Sequence, residues 1–143
     1  MKNSFFRIIN KLILVLLALL GFSCDPDDGY VEYGMPNADF KVQGTIIDVS
    51  TLQKLSGIEV VMDYDTAYSD VDGNYEVKVN AWPESETFVV TFKDIDEAAN
   101  GLYLEADTIV DFTDVEFING SSPWYYGEKS KEINIKLSPD DSK

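Results

Sequence analysis

Hydrophobic and polar residues alternate with a period of two from residue 39 onward, which is the pattern of β-strands that bury one face. Turn sequences rich in glycine, asparagine and proline separate the alternating segments. The pattern predicts an all-β fold, an antiparallel β-sandwich of about seven short strands. The inward-facing residues of successive strands are predicted to be Phe40, Val42 and Ile46; Ile58, Val60, Met62 and Tyr64; Tyr75, Val77 and Val79; Phe88, Val90 and Phe92; Thr108, Val110 and Phe112; and Ile133, Ile135 and Leu137.

The N-terminus follows a different pattern, a basic segment and then an apolar one. Residues 12–20 are too few for a transmembrane helix of roughly 20 residues but are typical of a cleaved signal peptide. The junction before Cys24, the only cysteine, resembles the lipobox of bacterial lipoproteins. That resemblance implies a signal peptide over residues 1–23 and a lipid on Cys24 that holds the protein in a membrane. An ordinary secretory signal with a free cysteine and an uncleaved anchor helix are the alternatives.

The remaining chain divides by composition into three segments. Residues 24–37 are acidic and interrupted by glycine and proline, so we predict a flexible tether there, followed by a β-sandwich domain over 38–138 and a disordered tail over 139–143. The acidic run after Cys24 resembles the surface-export signal of Bacteroidetes lipoproteins, which implies an outer-membrane lipoprotein exposed on the cell surface. In enterobacteria an aspartate after the cysteine marks inner-membrane retention, which is the alternative; surface export is preferred because the rest of the chain resembles Bacteroidetes proteins.

The chain is strongly acidic, with a formal net charge of −15. Three of its 11 basic residues and none of its 26 acidic residues lie before Cys24, so the predicted mature protein is more acidic still. Such a surface repels nucleic acid and anionic lipid head groups, which excludes both as partners. The chain has no histidine, which excludes a Ser-His-Asp triad and His-ligated zinc. We therefore predict no catalytic residues and no enzymatic activity.

Three motifs resemble carboxypeptidase regulatory-like domains: residues 40–48 (FKVQGTIID), 55–61 (LSGIEVV) and 69–77 (SDVDGNYEV). The resemblance implies a Greek-key, transthyretin-like sandwich. The motifs also have a physical basis, because Gly44 allows close approach of strands and Asp72-Gly73 suits a tight turn.

A narrower resemblance covers residues 32–40 (EYGMPNADF), 92–101 (FKDIDEAANG), 124–127 (WYYG) and 131–137 (KEINIKL). These segments are similar to the radical SAM-associated lipoproteins of Bacteroides and related bacteria, although Glu97 replaces a usual glycine. The resemblance implies a radical SAM enzyme as partner. The protein is then an accessory of that system or a substrate of the enzyme, modified at a residue other than Cys24.

Two predicted turns are rich in the oxygen ligands that calcium prefers. The first resembles the beginning of an EF-type loop, but Ala81 occupies the position of the final glutamate. The alternative is a solvated hairpin whose aspartates hydrogen-bond the turn backbone. The candidate calcium ligands are Asp70, Asp72 and Asn74 in the first turn and Asp94, Asp96 and Asn100 in the second.

Trp124, Tyr125 and Tyr126 stand together in a polar segment between strand-like stretches. Exposed aromatic residues bind sugar rings or protein partners, whereas buried ones would cap the end of the sandwich. We predict a binding patch here for an envelope protein or a glycan. The sequence thus predicts a non-catalytic accessory or binding module at the cell surface, with a radical SAM substrate or a calcium-stabilised structural protein as the alternatives.

Overall fold

A computed structural model describes residues 7–13, 15, 34–96 and 101–140. Residues 7–13 and 15 are helical. Among the described residues, no helix is both long and apolar enough to cross a membrane. The chain divides into two compact units, Met1–Tyr33 and Gly34–Lys143.

The described part of the second unit consists of nine strands in two sheets. The strands are β1 (Asn37–Asp48), β2 (Ile58–Met62), β3 (Asp65–Tyr68), β4 (Asn74–Ala81), β5 (Thr87–Asp94), β6 (Ala106–Asp111), β7 (Ile118–Ser122), β8 (Tyr125–Glu132) and β9 (Ile135–Leu137). The first sheet has the order β4-β1-β8-β7, with β9 also pairing with β1. The second sheet has the order β3-β2-β5-β6.

The two sheets pack face to face through their alternating apolar residues, as predicted. Phe40 of β1 lies 4.9 Å from the ring of Phe88 on β5, and Tyr75 of β4 meets Phe92 of β5 edge-on at 5.3 Å. The buried residues of both sheets form one hydrophobic cluster. The predicted all-β sandwich is therefore confirmed.

The pairing of β1 differs from the antiparallel arrangement that was predicted. β8 runs parallel to the first part of β1 and β9 runs parallel to its end, so the first sheet is mixed. The backbone carbonyl of Ile133, between β8 and β9, lies so close to Gly44 that a Cβ atom there would overlap it. Glycine at this position therefore lets the segment between β8 and β9 lie against β1.

Tyr64, which was predicted to face inward, is 66% exposed. The alternation ends at Met62 because Asp63 adopts a positive φ of 54° and turns the chain into β3. The hydroxyl of Tyr64 donates to the backbone carbonyl of Asn80 at 2.7 Å and accepts from the Asn80 N–H at 2.7 Å. The prediction for Tyr64 was therefore wrong, because its side chain hydrogen-bonds to the edge of β4 and stays outside the core.

The sandwich extends slightly beyond its predicted boundaries at both ends. β1 begins at Asn37, inside the segment predicted as tether. Pro139 forms an isolated β-bridge with Tyr103, and the N–H of Asp140 donates to the carbonyl of Leu102 at 2.7 Å, so the first two residues of the predicted tail are paired with the sandwich.

Candidate functional site

The three aromatic residues of the predicted binding patch lie on the β7–β8 hairpin, where the sequence indicated an irregular polar loop. Trp124 occupies the turn, and its carbonyl accepts hydrogen bonds from the backbone N–H and the side-chain amide of Asn37, at 2.8 and 3.1 Å. Its ring lies against Gly34. Trp124 thus fixes the point at which the chain enters β1.

Tyr125 is held by a carboxylate of the neighbouring strand. Its hydroxyl donates to Asp39 at 3.0 Å, and the same carboxylate accepts from Asn80 at 2.8 Å and contacts Lys78 at 3.0 Å. Burial opposes ionisation of Asp39, but these three partners outweigh it and hold the pKa of Asp39 below its usual value. Burial, and then the bond to Asp39, raise the pKa of Tyr125. Tyr125 therefore has a structural role in this arrangement.

Tyr126 is the most accessible member of the three, with 47% of its surface exposed. Its ring packs edge-on against Phe117 at 5.9 Å. Of the three aromatic residues, Tyr126 is therefore the exposed one, whereas Trp124 and Tyr125 make contacts that position the hairpin. A binding role for this patch stays a prediction.

A network of charged side chains covers the outer face of the first sheet, and sequence reasoning did not find it. Glu128 of β8 pairs with Lys41 at 3.0 Å and with Lys78 at 3.5 Å, and Lys78 also reaches Asp39. The hydrogen bond and charge of Asp39 raise the pKa of Lys78. The network depends on the parallel register of β1 with β8, for which the local sequence carries no signal.

On the same outer face, the neighbouring set of cross-strand partners, Glu76, Gln43 and Glu132, contains no basic residue. Gln43 lies between Glu76 and Glu132 in the strand register, and neither glutamate forms an ion pair with any described residue. A groove of about 570 Å³ crosses these residues and reaches Tyr68 on β3. Its carboxylate and amide groups can exchange hydrogen bonds with the hydroxyl or ammonium groups of a ligand.

The first predicted calcium turn is organised by Asp70. One carboxylate oxygen accepts hydrogen bonds from the backbone N–H groups of Asp72 and Asn74, at 2.9 and 2.8 Å, and the other accepts from the Asn74 amide at 3.3 Å. The backbone bond from Asn74 is the largest cause that lowers the pKa of Asp70. Both oxygens are thus engaged within the turn, which favours the hairpin interpretation over an ion site.

Asp94 has a similar arrangement in the second turn. Its two oxygens accept from the backbone N–H groups of Asp96 at 3.2 Å and Tyr103 at 3.1 Å, whereas Asn100 lies outside the described residues. Within residues 34–96 and 101–140, no three acidic or thiol side chains come together as a metal site would require. Calcium binding stays a prediction.

Replacing Asp70 with alanine is expected to lower the melting temperature by a few degrees, because the turn loses three hydrogen bonds. We expect the same decrease in calcium and in EGTA, measured by circular dichroism. Asp72→Ala is the matched control, since its carboxylate makes no hydrogen bond with a described residue. A melting temperature of the unmodified protein that rises with calcium would instead support an ion site.

Lys129 is a buried cation that sequence reasoning missed. It is 6% exposed, and its ammonium group donates to the carbonyl of Phe112 at 2.9 Å and lies 4.7 Å from the centre of the Phe117 ring. Its neighbours in sequence are Glu128 and Ser130, so the segment looks solvated. In the fold, Lys129 ties the connection between β6 and β7 to β8.

The predicted lipidation site, Cys24, lies outside the described residues. No protein-family model and no curated protein match the chain. One solved structure to which the chain is similar is a protein of unknown function from Bacteroides fragilis, described as membrane-associated, with 17% sequence identity and a TM-score of 0.42. The alignment covers 76% of this chain but 30% of the other, so the chain spans less than a third of that neighbour's length. This likeness assigns no activity to the chain.

Proposed function

We propose that this protein is an envelope lipoprotein in which lipidated Cys24 holds a non-catalytic β-sandwich binding module at the cell surface. The observation that supports the proposal is that the β-sandwich forms a compact unit separate from the N-terminal segment that contains Cys24 in the sequence. Cys24 precedes the sandwich in sequence, and the sandwich belongs to a compact unit, Gly34–Lys143, with its own hydrophobic core. An anchor and a displayed domain require such a division, because the anchor has to stay in the membrane while the domain folds in water.

The binding role is supported by the surface that the sandwich offers. Tyr126 exposes an aromatic ring on a hydrogen-bonded hairpin, and the groove beside Gln43 is lined by both polar and apolar groups. Tyr126 and most of the groove residues lie on paired strands, which hold binding groups more rigidly than loops do. Association with a radical SAM enzyme, as accessory or as substrate, stays a prediction from the resemblance of the motifs.

Labelling with a palmitate analogue in bacterial cells tests the anchor. We expect the unmodified chain to incorporate the label and to fractionate with membranes, and Cys24→Ser to lose both properties, because the thiol is the acceptor of the lipid. Ser23→Ala is the matched control, since it keeps a small residue before the cysteine. Label that persists in Cys24→Ser would contradict the proposal.

A further inference from the structure

The exposed edges of the two sheets differ in how their backbone groups are covered. An open edge is a site where an extended polypeptide can add a strand by main-chain hydrogen bonds. Native proteins cover such edges with side chains, irregular strands or charges unless the edge has a use. The edges formed by β4, β7 and β6 can therefore be compared as binding sites.

Side chains from the same domain cover the edge of β4. Tyr64 pairs with both backbone groups of Asn80, and Asp65 accepts from the backbone N–H of Lys78 at 2.7 Å. Asp70 accepts from the N–H of Asn74 at the start of the strand. Tyr64 precedes β3, Asp65 begins it and Asp70 follows it, and together they close the edge of β4 to a further strand along most of its length.

The edge of β7 is irregular. Its register with β8 shifts between Asn119 and Ser122, and Asn119 has a positive φ of 59°. A bulge of this kind bends the strand and interrupts the row of backbone groups that a partner strand needs. β7 is therefore a poor template for pairing.

β6 is a regular edge, with an unbroken register against β5 from Ala106 to Asp111. The N–H of Phe112 donates to the carbonyl of Glu86 at 2.6 Å. Because hydrogen-bonded and non-bonded pairs alternate in an antiparallel ladder, the backbone groups of Asp107 and Ile109 point away from β5. No side chain of the described residues hydrogen-bonds to these outward groups.

The side chains along this edge have a distinctive order. Ile109 is 72% exposed, and its cross-strand partner Val89 is 53% exposed, so an apolar pair lies open at the edge. Asp107 and Asp111 flank Ile109 on the same face, and neither forms an ion pair with a described residue. A second copy of β6 added antiparallel about Ile109 would place Asp107 opposite Asp111, and like charges in that position are destabilising.

We propose that β6 is the docking edge for an extended segment of a partner protein in which one apolar residue has a lysine or arginine two positions away on each side. Residues two apart lie on one face of a strand, so the apolar residue would contact Ile109 while the basic residues face Asp107 and Asp111. The charge of the edge favours this partner and disfavours self-pairing. The proposal rests on the binding role given above and identifies the chemical class of the partner.

The test uses the full chain in detergent and a fluorescent peptide with the sequence Thr-Lys-Thr-Val-Thr-Lys-Thr. We expect binding in fluorescence anisotropy that weakens with added salt, and loss of about tenfold in affinity in Asp107→Lys. Asp72→Lys carries the same charge change in the β3–β4 turn and is the matched control, with less than about a twofold effect. A peptide with glutamate in place of lysine is expected not to bind.

Ile109→Pro removes both the backbone and the side-chain contribution of Ile109 to the docking edge. Proline removes the outward N–H and is tolerated on edge strands, so we expect peptide binding to disappear while the far-ultraviolet circular dichroism is retained. Absence of binding by the unmodified chain, equal binding by Asp107→Lys, or a dimer that Ile109→Pro abolishes would each overturn the proposal. Palmitate labelling of Cys24 is independent of these results, so the two proposals fail separately.

Discussion

Replacing Phe40 with alanine is expected to lower the free energy of unfolding by about 3–5 kcal/mol, because a large ring is lost from a packed core. Phe40 is fully buried, and its ring lies 4.9 Å from Phe88, 5.3 Å from Phe112 and 6.1 Å from Phe117. It joins the first sheet to the second sheet and to the connection between β6 and β7. Domains of this size have a total stability of about 5–15 kcal/mol, so the variant would be largely unfolded at elevated temperature.

Urea denaturation followed by circular dichroism measures this loss for Phe40→Ala. Phe40→Leu is the control, since leucine restores much of the volume and is expected to cost about 1–2 kcal/mol. An alanine variant within about 1 kcal/mol of the unmodified protein would contradict the central position of this ring in the core.

Replacing Gly127 with alanine is expected to lower the free energy of unfolding by about 3–5 kcal/mol through backbone strain and overpacking. Gly127 has a φ of 108°, a conformation that residues with a Cβ atom rarely adopt. A Cβ atom there would also overlap the carbonyl of Ile118 and lie 2.7 Å from the N–H nitrogen of Gly120. The β7–β8 hairpin would have to separate, and the aromatic residues on it would move.

Gly101→Ala distinguishes backbone strain from overpacking as the cause of the lost stability. Gly101 has a similar φ of 99°, but the nearest described atom to its Cβ position is 3.6 Å away, in the side chain of Tyr103. This variant is expected to lose about 1–2 kcal/mol from backbone strain alone. Equal losses in the two variants, measured by urea denaturation, would show that the contact with β7 contributes nothing.

The sandwich could be predicted because most of its strands keep a strict period of two. Phe40, Val60, Val77 and Phe92 are buried as the alternation indicates. β8 could not be predicted in this way, because its buried positions hold Gly127 and Lys129 in place of large apolar residues. The alternation of apolar and polar residues is therefore absent from β8, although β8 lies between β1 and β7 in the first sheet.

The candidate sites were harder to predict than the fold, because they depend on contacts between distant segments. The aromatic residues were found from their clustering, but the roles of Trp124 and Tyr125 depend on Asn37 and Asp39 at the start of β1. The ion pairs of Glu128 likewise require the register of two parallel strands. The acidic turns were visible as patterns, yet only geometry distinguishes a carboxylate engaged by backbone N–H groups, such as Asp70, from one that is open to an ion.

The double pairing of β1 also has a kinetic consequence. This strand lies near the start of the domain, yet its parallel neighbours β8 and β9 are close to the end of the chain. Contacts of large sequence separation slow folding, because the entropy of closing a long loop is lost before the contact forms. The first sheet can be completed only when the C-terminal strands have been synthesised, which is compatible with translocation of an unfolded precursor, as the proposed lipoprotein requires.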